Sequence, residues 1–455
     1  MGLLSGTLKT APGPPGLPLL GNLVPFRRDV LRLLTGSRER FGDVVRFQLG
    51  PMILHLAAHP DAVRHVLQER MEIYDKETRS SAKIRGLTGL GLLTVSGDLW
   101  RRQRRLIQPG FRPVAMAGFV ERMTAATATL LERWEAHARE GRPLDLASEM
   151  MRLTYTIAGR TLLGADVSGD AGVVEEAMDV LLAHTWRRLE RIADPPDWLP
   201  TPGNRRFRKA LAAIDGVVYR ILAERRARGE ACWPDDLLTI LLRTRDEETG
   251  HGMTDEQLRD EAVTLLLAGH ETTANALAWT FHLLSRHPEI LERLRAEAET
   301  VLGDRAPGAG DLQSLPFTEQ VLRESMRLYP PIWAVERRAV VEDGLGGYRI
   351  PAGSTMVLSP WVTHRHPAFW DDPETFDPDR FSGERSAERP PLAYIPFGAG
   401  PRFCVGGHFA MVEALVVTAM VARRWRLRPV EGRSVIPLPG ITLRPAGGVW
   451  VRLEE

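Results

Sequence analysis

The residues best placed for chemistry in this 455-residue chain surround one sulfur. The stretch 397–410 reads Phe397-Gly398-Ala399-Gly400-Pro401-Arg402-Phe403-Cys404-Val405-Gly406-Gly407-His408-Phe409-Ala410, a Gly/Pro loop running into an apolar helical segment. Cys404, one of only two cysteines, stands where loop becomes helix. A helix N-terminus offers unpaired backbone N–H groups and the positive end of a dipole. Both favour thiolate over thiol, so Cys404 suits the role of an anionic metal ligand. Glycines 398, 400, 406 and 407 lack side chains and would let a flat cofactor approach the backbone. Phe397 and Phe403 can shield the sulfur from water, and Arg402 can reach an acidic cofactor edge. The bland alternative is a small buried hydrophobe, the usual fate of a lone Cys.

A second group of chemical residues lies in an apolar segment. Thr254 with Gln257 makes a capping box that starts a helix running to about His287, before Pro288. Its middle, from Val263 to Ala274, is apolar nearly all round and therefore buried. Within it Gly269, Glu271 and Thr272 break the rules for a core helix: Gly weakens it and an ionised Glu needs partners. Such departures point to function. A groove at Gly269 could admit a diatomic molecule and water, with Glu271 and Thr272 passing protons. The competing reading has Thr272 bonded back to its own helix. His270 reads as a satisfied side chain and not as a ligand.

Other elements must position these groups. Trp100 and Arg104, four apart on a helix begun by Ser96 or Asp98 and ended at Pro109-Gly110, share a face and together suit a carboxylate. Arg101, Arg102 and Arg105 fall on the exposed side, either as a dock for an acidic partner or as plain surface charge. Glu324 and Arg327 share a face of the helix 317–328, and Asp377-Pro378-Asp379-Arg380-Phe381 follows later.

Together these motifs resemble, in order, those of the cytochrome P-450 family of haem-thiolate monooxygenases. F-x-x-G-x-R-x-C-x-G is similar to the family's haem loop. Ala268-Gly269-His270-Glu271-Thr272-Thr273 resembles its oxygen-activation motif, and W-x-x-x-R its propionate-binding helix. Glu324, Arg327 and Arg380 resemble its structural triad. The resemblance implies a mainly α fold with a smaller β region, forming a single haem domain over 1–455 that includes a Pro-rich N-terminal segment, 1–20. It implies haem b with Cys404 as axial ligand, cradled by Phe397, Gly398, Gly406, Ala268 and Gly269. Arg402, Trp100, Arg104 and Arg338 would hold the propionates; the family pattern places Arg338 there in preference to its neighbour Arg337. Residues 332–335 and a hairpin tip near Ile441-Thr442-Leu443 would line the pocket. Thr272 and Glu271 would serve proton delivery while O2 is activated to hydroxylate or epoxidise an apolar molecule such as a fatty acid, terpenoid, steroid or macrolide. Electrons would come from NAD(P)H through a reductase and a ferredoxin or flavodoxin. A peroxide-driven enzyme or haem-thiolate isomerase, and a non-catalytic haem sensor, are the alternatives; the intact Glu271–Thr272 pair argues against the first and the lack of an output domain against the second.

Composition is ordinary for a soluble globular protein at 44% hydrophobic and 26% charged, and a net charge of +1 gives no field for nucleic acid or membrane. Two distant cysteines exclude a disulfide scaffold and a C-x-x-C zinc site, and Cys232 reads as structural. No run approaches the ~20 apolar residues of a membrane span, and 1–5 is too short for a signal peptide. The chain reads as a cytoplasmic bacterial monomer. Residues 44–49 and 52–56 form a hairpin around Gly50-Pro51, and a helix follows over 60–70. Residues 72–98 show no period and read as a long loop, which the resemblance implies closes over the pocket. Residues 114–250 are helical with breaks at Gly141, Asp194 and Trp233, and 246–250 is a solvated turn. Short strands occupy 334–341, 348–350 and 355–358, and His364-Arg365-His366-Pro367 looks like a metal cluster, whereas the resemblance implies a turn without metal.

Overall fold

The computed structural model describes residues 8–164, 171–189, 191, 194–196 and 198–455; the start of the Pro-rich N-terminal segment, 1–7, and part of the expected helical region, at 165–170, lie outside them. The fold is mainly α with a smaller β region. The chain sorts into two compact units, each assembled from three stretches.

The first unit comprises Met1–Ala82, Ile332–Thr375 and Gly383–Cys404. Its frame is a five-stranded sheet. Strands β1 (Val44–Leu49) and β2 (Met52–Ala57) pair antiparallel with Leu49 opposite Met52. Gly50 turns between them in the left-handed region (φ 60°), as tight hairpin turns demand. With β3 (Tyr74–Asp75), β4 (Val335–Ala339) and β5 (Thr355–Leu358), the sheet order is β1-β2-β5-β4-β3. Only β2 and β5 run parallel. The Pro-rich segment joins this unit: Lys9–Thr10 pairs with Tyr348–Ile350, and Arg46 donates its N–H to the Pro12 carbonyl.

The second unit comprises Lys83–Pro331, Phe376–Ser382 and Val405–Glu455. Its helices include α1 (Gly97–Ile107), α2 (Leu146–Ala158), α3 (Asp255–Arg286), α4 (Pro316–Leu328) and α5 (Gly407–Arg424). Helix α3 starts and stops where the sequence says. Thr254 and Gln257 form both bonds of the capping box, and His287 closes the far end. It packs along α2 and is buried on nearly every side from Leu258 to Ser285. The late strands β6 (Ile436–Pro439) and β7 (Leu443–Ala446) make a hairpin beside it.

Two local readings differ. A helix forms over Arg79–Thr88 inside the expected long loop. Thr78 starts it by accepting the Ser81 N–H, and its few apolar residues leave no visible period. The turn at 246–250 is solvated over 247–250 as expected, but Asp246 is buried, accepts the Glu248 N–H, and pairs with Arg102 and Arg105. Those two arginines are therefore spent inside the fold, whereas Arg101 is exposed and pairs with Asp98.

The segment 89–94 is clasped by α3. Asp260 accepts the Leu90 N–H (2.7 Å) and Glu261 the Leu92 N–H (3.0 Å). Burial pushes the Glu261 carboxyl from 4.5 up to about 8, against the pull of the Leu92 bond. The folded chain therefore binds more protons than the unfolded chain between pH 4.5 and about 8, and stability falls as pH rises through that window. Glu261→Gln keeps an acceptor for Leu92 and removes the titration. Thermal unfolding at pH 5 and pH 8 is expected to show a smaller loss of Tm across that interval for Glu261→Gln than for the parent; equal losses would contradict the assignment.

Candidate functional site

The first unit presents the sulfur. Cys404 is exposed and precedes α5 by three residues, with Gly406 at the helix cap. Its own N–H donates to the Phe397 carbonyl (3.0 Å), which folds the loop back on itself. The Phe397 and Phe403 rings lie 6.2 Å apart, and Phe403 is 45% exposed. The glycines divide their work. At Gly398 (φ 74°) an added Cβ would meet nothing within 4 Å, so this face of the loop is open. At Gly400 (φ 69°) a Cβ would fall 2.1 Å from the Leu67 carbonyl, so that glycine serves the packing of the loop.

Beside the sulfur loop the same unit gathers cations. Asp75 and Arg338 are directly opposed across β3 and β4, and their side chains form a two-pronged ion pair (2.5 and 3.1 Å). Side chains alternate across a strand, so Arg337 points the other way. It is buried, and burial lowers its pKa to about 10. Arg402 is also held at about 10, by burial first and then by the charge of Arg337. Lys76 follows Asp75 and is pulled well below its usual value by burial, Arg337 and Arg402. The expected propionate ligand Arg338 thus has a carboxylate already, and its neighbour Arg337 sits with Arg402 and Lys76. Lys76 escaped the sequence reading, and Arg337 was weighed there and passed over for Arg338; strand parity, which puts both on the side away from the Asp75–Arg338 pair, is the signal that finds them.

The second unit carries the expected polar pair on α3. Ala268 is exposed and Gly269 and Thr272 are half-buried, on a helix otherwise sunk in the core. The Thr272 hydroxyl donates to the Ala268 carbonyl (2.5 Å), so the back-bonded conformation is the one adopted. Glu271 is buried and turns to the hairpin: its Oε1 accepts from Thr442 (2.7 Å) and from the Arg444 guanidinium (2.6 and 2.5 Å). One turn on, Asn275 donates to Thr442 (3.0 Å), and another turn on, Trp279 donates to the Leu443 carbonyl (3.0 Å). Arg444 was not legible in advance because it lies 173 residues from its partner. His270 is satisfied at one ring nitrogen only, since its buried Nδ1 has no hydrogen-bond partner among the described residues. Its Nε2 lies 3.0 Å from the Met151 carbonyl, and burial holds its pKa near 4.

Helix α1 places Trp100 in the core and leaves Arg104 half-buried one turn later. Ser96 stands at its N-cap position without a capping bond. Glu324 receives Arg327 through two bonds (2.7 and 2.8 Å), the Asp377 N–H (3.0 Å), and Arg380 at 3.3 Å. Glu324 and Arg327 are fully buried, so this carboxylate is sealed inside its cations. His364 accepts the Ile395 N–H (2.8 Å), Arg365 lies on the Trp361 ring and pairs with Glu374, and His366 bonds Asp43. The turn therefore has structural work for all three side chains. Cys232 is exposed on a short 3-10 turn, Glu230–Cys232.

The family model described as Cytochrome P450 matches residues 11–449. The chain belongs to the cytochrome P450 family. Among similar proteins, cyclooctat-9-en-7-ol 5-monooxygenase of Streptomyces melanosporofaciens is 39% identical over 94% of this chain and 91% of its own. Cyclooctatin synthase of the same organism is 37% identical over 95% and 93%, and pentalenene oxygenase of Streptomyces avermitilis 34% over 94% and 93%. The crystal structure of the cytochrome P450DA heme domain superposes with a TM-score of 0.89, at 28% identity and 98% coverage of both chains. This P450 is a monooxygenase, and its family brings haem, O2 and reducing equivalents to the reaction. The residues present fit haem. An exposed cysteine sulfur supplies the ligand type, the open face at Gly398 leaves room, and Arg337, Arg402 and Lys76 are suited to an acidic edge. Among the described residues, no helix is long and apolar enough to cross a membrane.

The sealed Glu324 cluster generates a test of its own. Removing one partner of a buried charge pair leaves the rest uncompensated and costs about 3–5 kcal/mol. Glu324→Ala, which strands Arg327 and Arg380, is expected to lower unfolding stability by about that amount in denaturant titration. A loss under about 1 kcal/mol would mean that the cluster is screened by water, as surface pairs are.

Proposed function

We propose that this P450 hydroxylates or epoxidises a terpenoid, using haem b ligated by Cys404. The observation that carries the reading is the exposed Cys404 sulfur in an unbroken F-x-x-G-x-R-x-C-x-G loop. The near-full-length similarity to proteins named for cyclooctat-9-en-7-ol, cyclooctatin and pentalenene supports the substrate class.

In this reading the chain's residues divide as follows. Cys404 holds the cofactor, with Phe397, Phe403, Gly398 and Gly406 around the sulfur and Ala268 and Gly269 contributed by α3. Arg402, Arg337 and Lys76, with Trp100 and Arg104, bind its carboxylates; Arg338 braces β3 against β4 through Asp75. Thr272 and Glu271 conduct protons, and Glu324, Arg327 and Arg380 support the fold. Haem, when bound, supplies the oxygen-activating chemistry. Electrons come from NAD(P)H through a reductase and a ferredoxin or flavodoxin. The whole chain 1–455 works as one haem domain, monomeric and cytoplasmic.

Three measurements check this reading. Cys404→Ser is expected to lose the red-shifted absorption of the reduced carbon monoxide adduct, and its persistence would assign the ligand elsewhere. Titration of the holoenzyme with polycyclic terpenes and terpene alcohols should shift the Soret band and, with surrogate ferredoxin and reductase, yield NAD(P)H-dependent oxygenated product. Product with peroxide alone would favour the peroxygenase reading, and a haem protein giving product under neither condition would favour a binding protein. For the carboxylate site, Arg337→Met should speed haem transfer to apomyoglobin roughly tenfold, the loss of one charge-assisted bond. Arg338→Met should change it far less; the reverse order would return the role to Arg338.

A further inference from the structure

The two oxygens of Glu271 are treated differently by the fold. Oε1 takes every bond the carboxylate has: Thr442 at 2.7 Å and the Arg444 guanidinium at 2.6 and 2.5 Å. Oε2 is buried and accepts no hydrogen bond from any described residue. The Thr442 hydroxyl is itself oriented, since Asn275 donates to it (3.0 Å) from the next turn of α3. The strand that carries these groups is anchored at both ends of the contact: the Leu443 N–H donates to the Pro331 carbonyl (2.8 Å), and the Leu443 carbonyl accepts from Trp279 (3.0 Å). Glu271 is 1% exposed, whereas 35% of the Arg444 side chain reaches solvent.

A buried carboxylate with one oxygen saturated and the other bare is an asymmetric device. Left unpaired, such a group is costly to bury, so leaving Oε2 bare while Oε1 is held by a cation and a hydroxyl is a definite arrangement of charge. We propose that Arg444, with Thr442, is a positioning residue of this monooxygenase: it pins Glu271 by Oε1 and so makes Oε2 the oxygen that carries the proton. The step is proton movement alone. An O–H bond at Oε2 breaks as the proton passes toward the active site and forms again as one arrives from solvent; no electrons move. Thr272 takes no proton itself: its hydroxyl hydrogen is committed to Ala268, and its oxygen lone pairs are left to accept a hydrogen bond that orients a proton carrier. The proposal rests on the proton-conducting role given to Glu271 above.

The test uses the haem-loaded enzyme with surrogate ferredoxin and reductase. Arg444→Met keeps length and apolar bulk but removes the cation. Product formed per electron is expected to fall roughly tenfold, a fraction of what a well-placed acid contributes. Peroxide release should rise to match, and the solvent deuterium isotope effect on product formation should increase. Substrate Kd, read from the Soret shift, should stay within about twofold. Arg444→Lys should restore most of the coupling, since an ammonium can still hold Oε1. In a Glu271→Gln background, Arg444→Met should add nothing further, because the two act as one unit. Unmoved coupling and isotope effect in Arg444→Met would overturn the proposal, and so would a full-sized effect of that change in the Glu271→Gln background. A change confined to Kd would make Arg444 a wall of the substrate pocket and overturn it equally. If Arg444→Met yields no haem protein, Thr442→Val removes the other Oε1 contact and is measured in the same way: lower coupling with a larger isotope effect supports the proposal, and no change in either overturns it. Parent enzyme without NAD(P)H-dependent product would instead sink the functional reading, so the two failures are separable.

Discussion

Polar side chains carried into a core by a helix must find partners there, and in this P450 two short, weakly structured segments supply them. Helix α3 takes Asp260 and Glu261 inside, and the backbone of 89–94 meets them. It takes Glu271, Asn275 and Trp279 inside, one turn apart, and the hairpin residues Thr442, Leu443 and Arg444 meet those. Both the 89–94 segment and the hairpin are weak secondary structure, short of the length that would fix them alone. Their positions in this unit follow from unmet hydrogen-bonding demand on a rigid rod.

The same logic, with the sign reversed, operates in the sulfur-bearing unit. Arg337 lowers the proton affinity of Arg402, and both lower that of Lys76, with Arg337 buried and the other two half-buried. Glu336 offsets part of that repulsion at Lys76 and Asp75 at Arg402, and a further anion would offset more. Haem carboxylates would suit that role, and in the proposed reading cofactor retention would depend on the sheet: β4 presents Arg337 on one face while its neighbour Arg338 secures Asp75 on the other.

How much of this could be read in the residues depends on the range of the interaction. The ends of α3 were legible because a capping box and a following proline are local chemistry. The Cys404 loop and the Glu324–Arg327 spacing were legible for the same reason, and the Asp377–Phe381 segment completed the triad. The family pattern preferred Arg338 to Arg337, but a one-residue shift on a strand reverses facing, and a motif without its strand partner does not show which way the strand faces. Arg102 and Arg105 read as surface because Asp246 is 141 residues from Arg105 in sequence. Helix Arg79–Thr88 was hidden by a polar composition that carries no period. The ion pair between Glu271 and Arg444 belongs with these: nothing near either residue announces the other.

That ion pair also orders events during synthesis. A ribosome finishes Glu271 and must add 173 more residues before Arg444 exists. Until then the middle of α3 contains a carboxylate with no cation to meet it, so sinking that part of the helix into the interior is unfavourable. Contacts so far apart along the chain are slow to close. The nascent protein therefore emerges with its central rod only partly committed, and the last hairpin to leave the exit tunnel completes it.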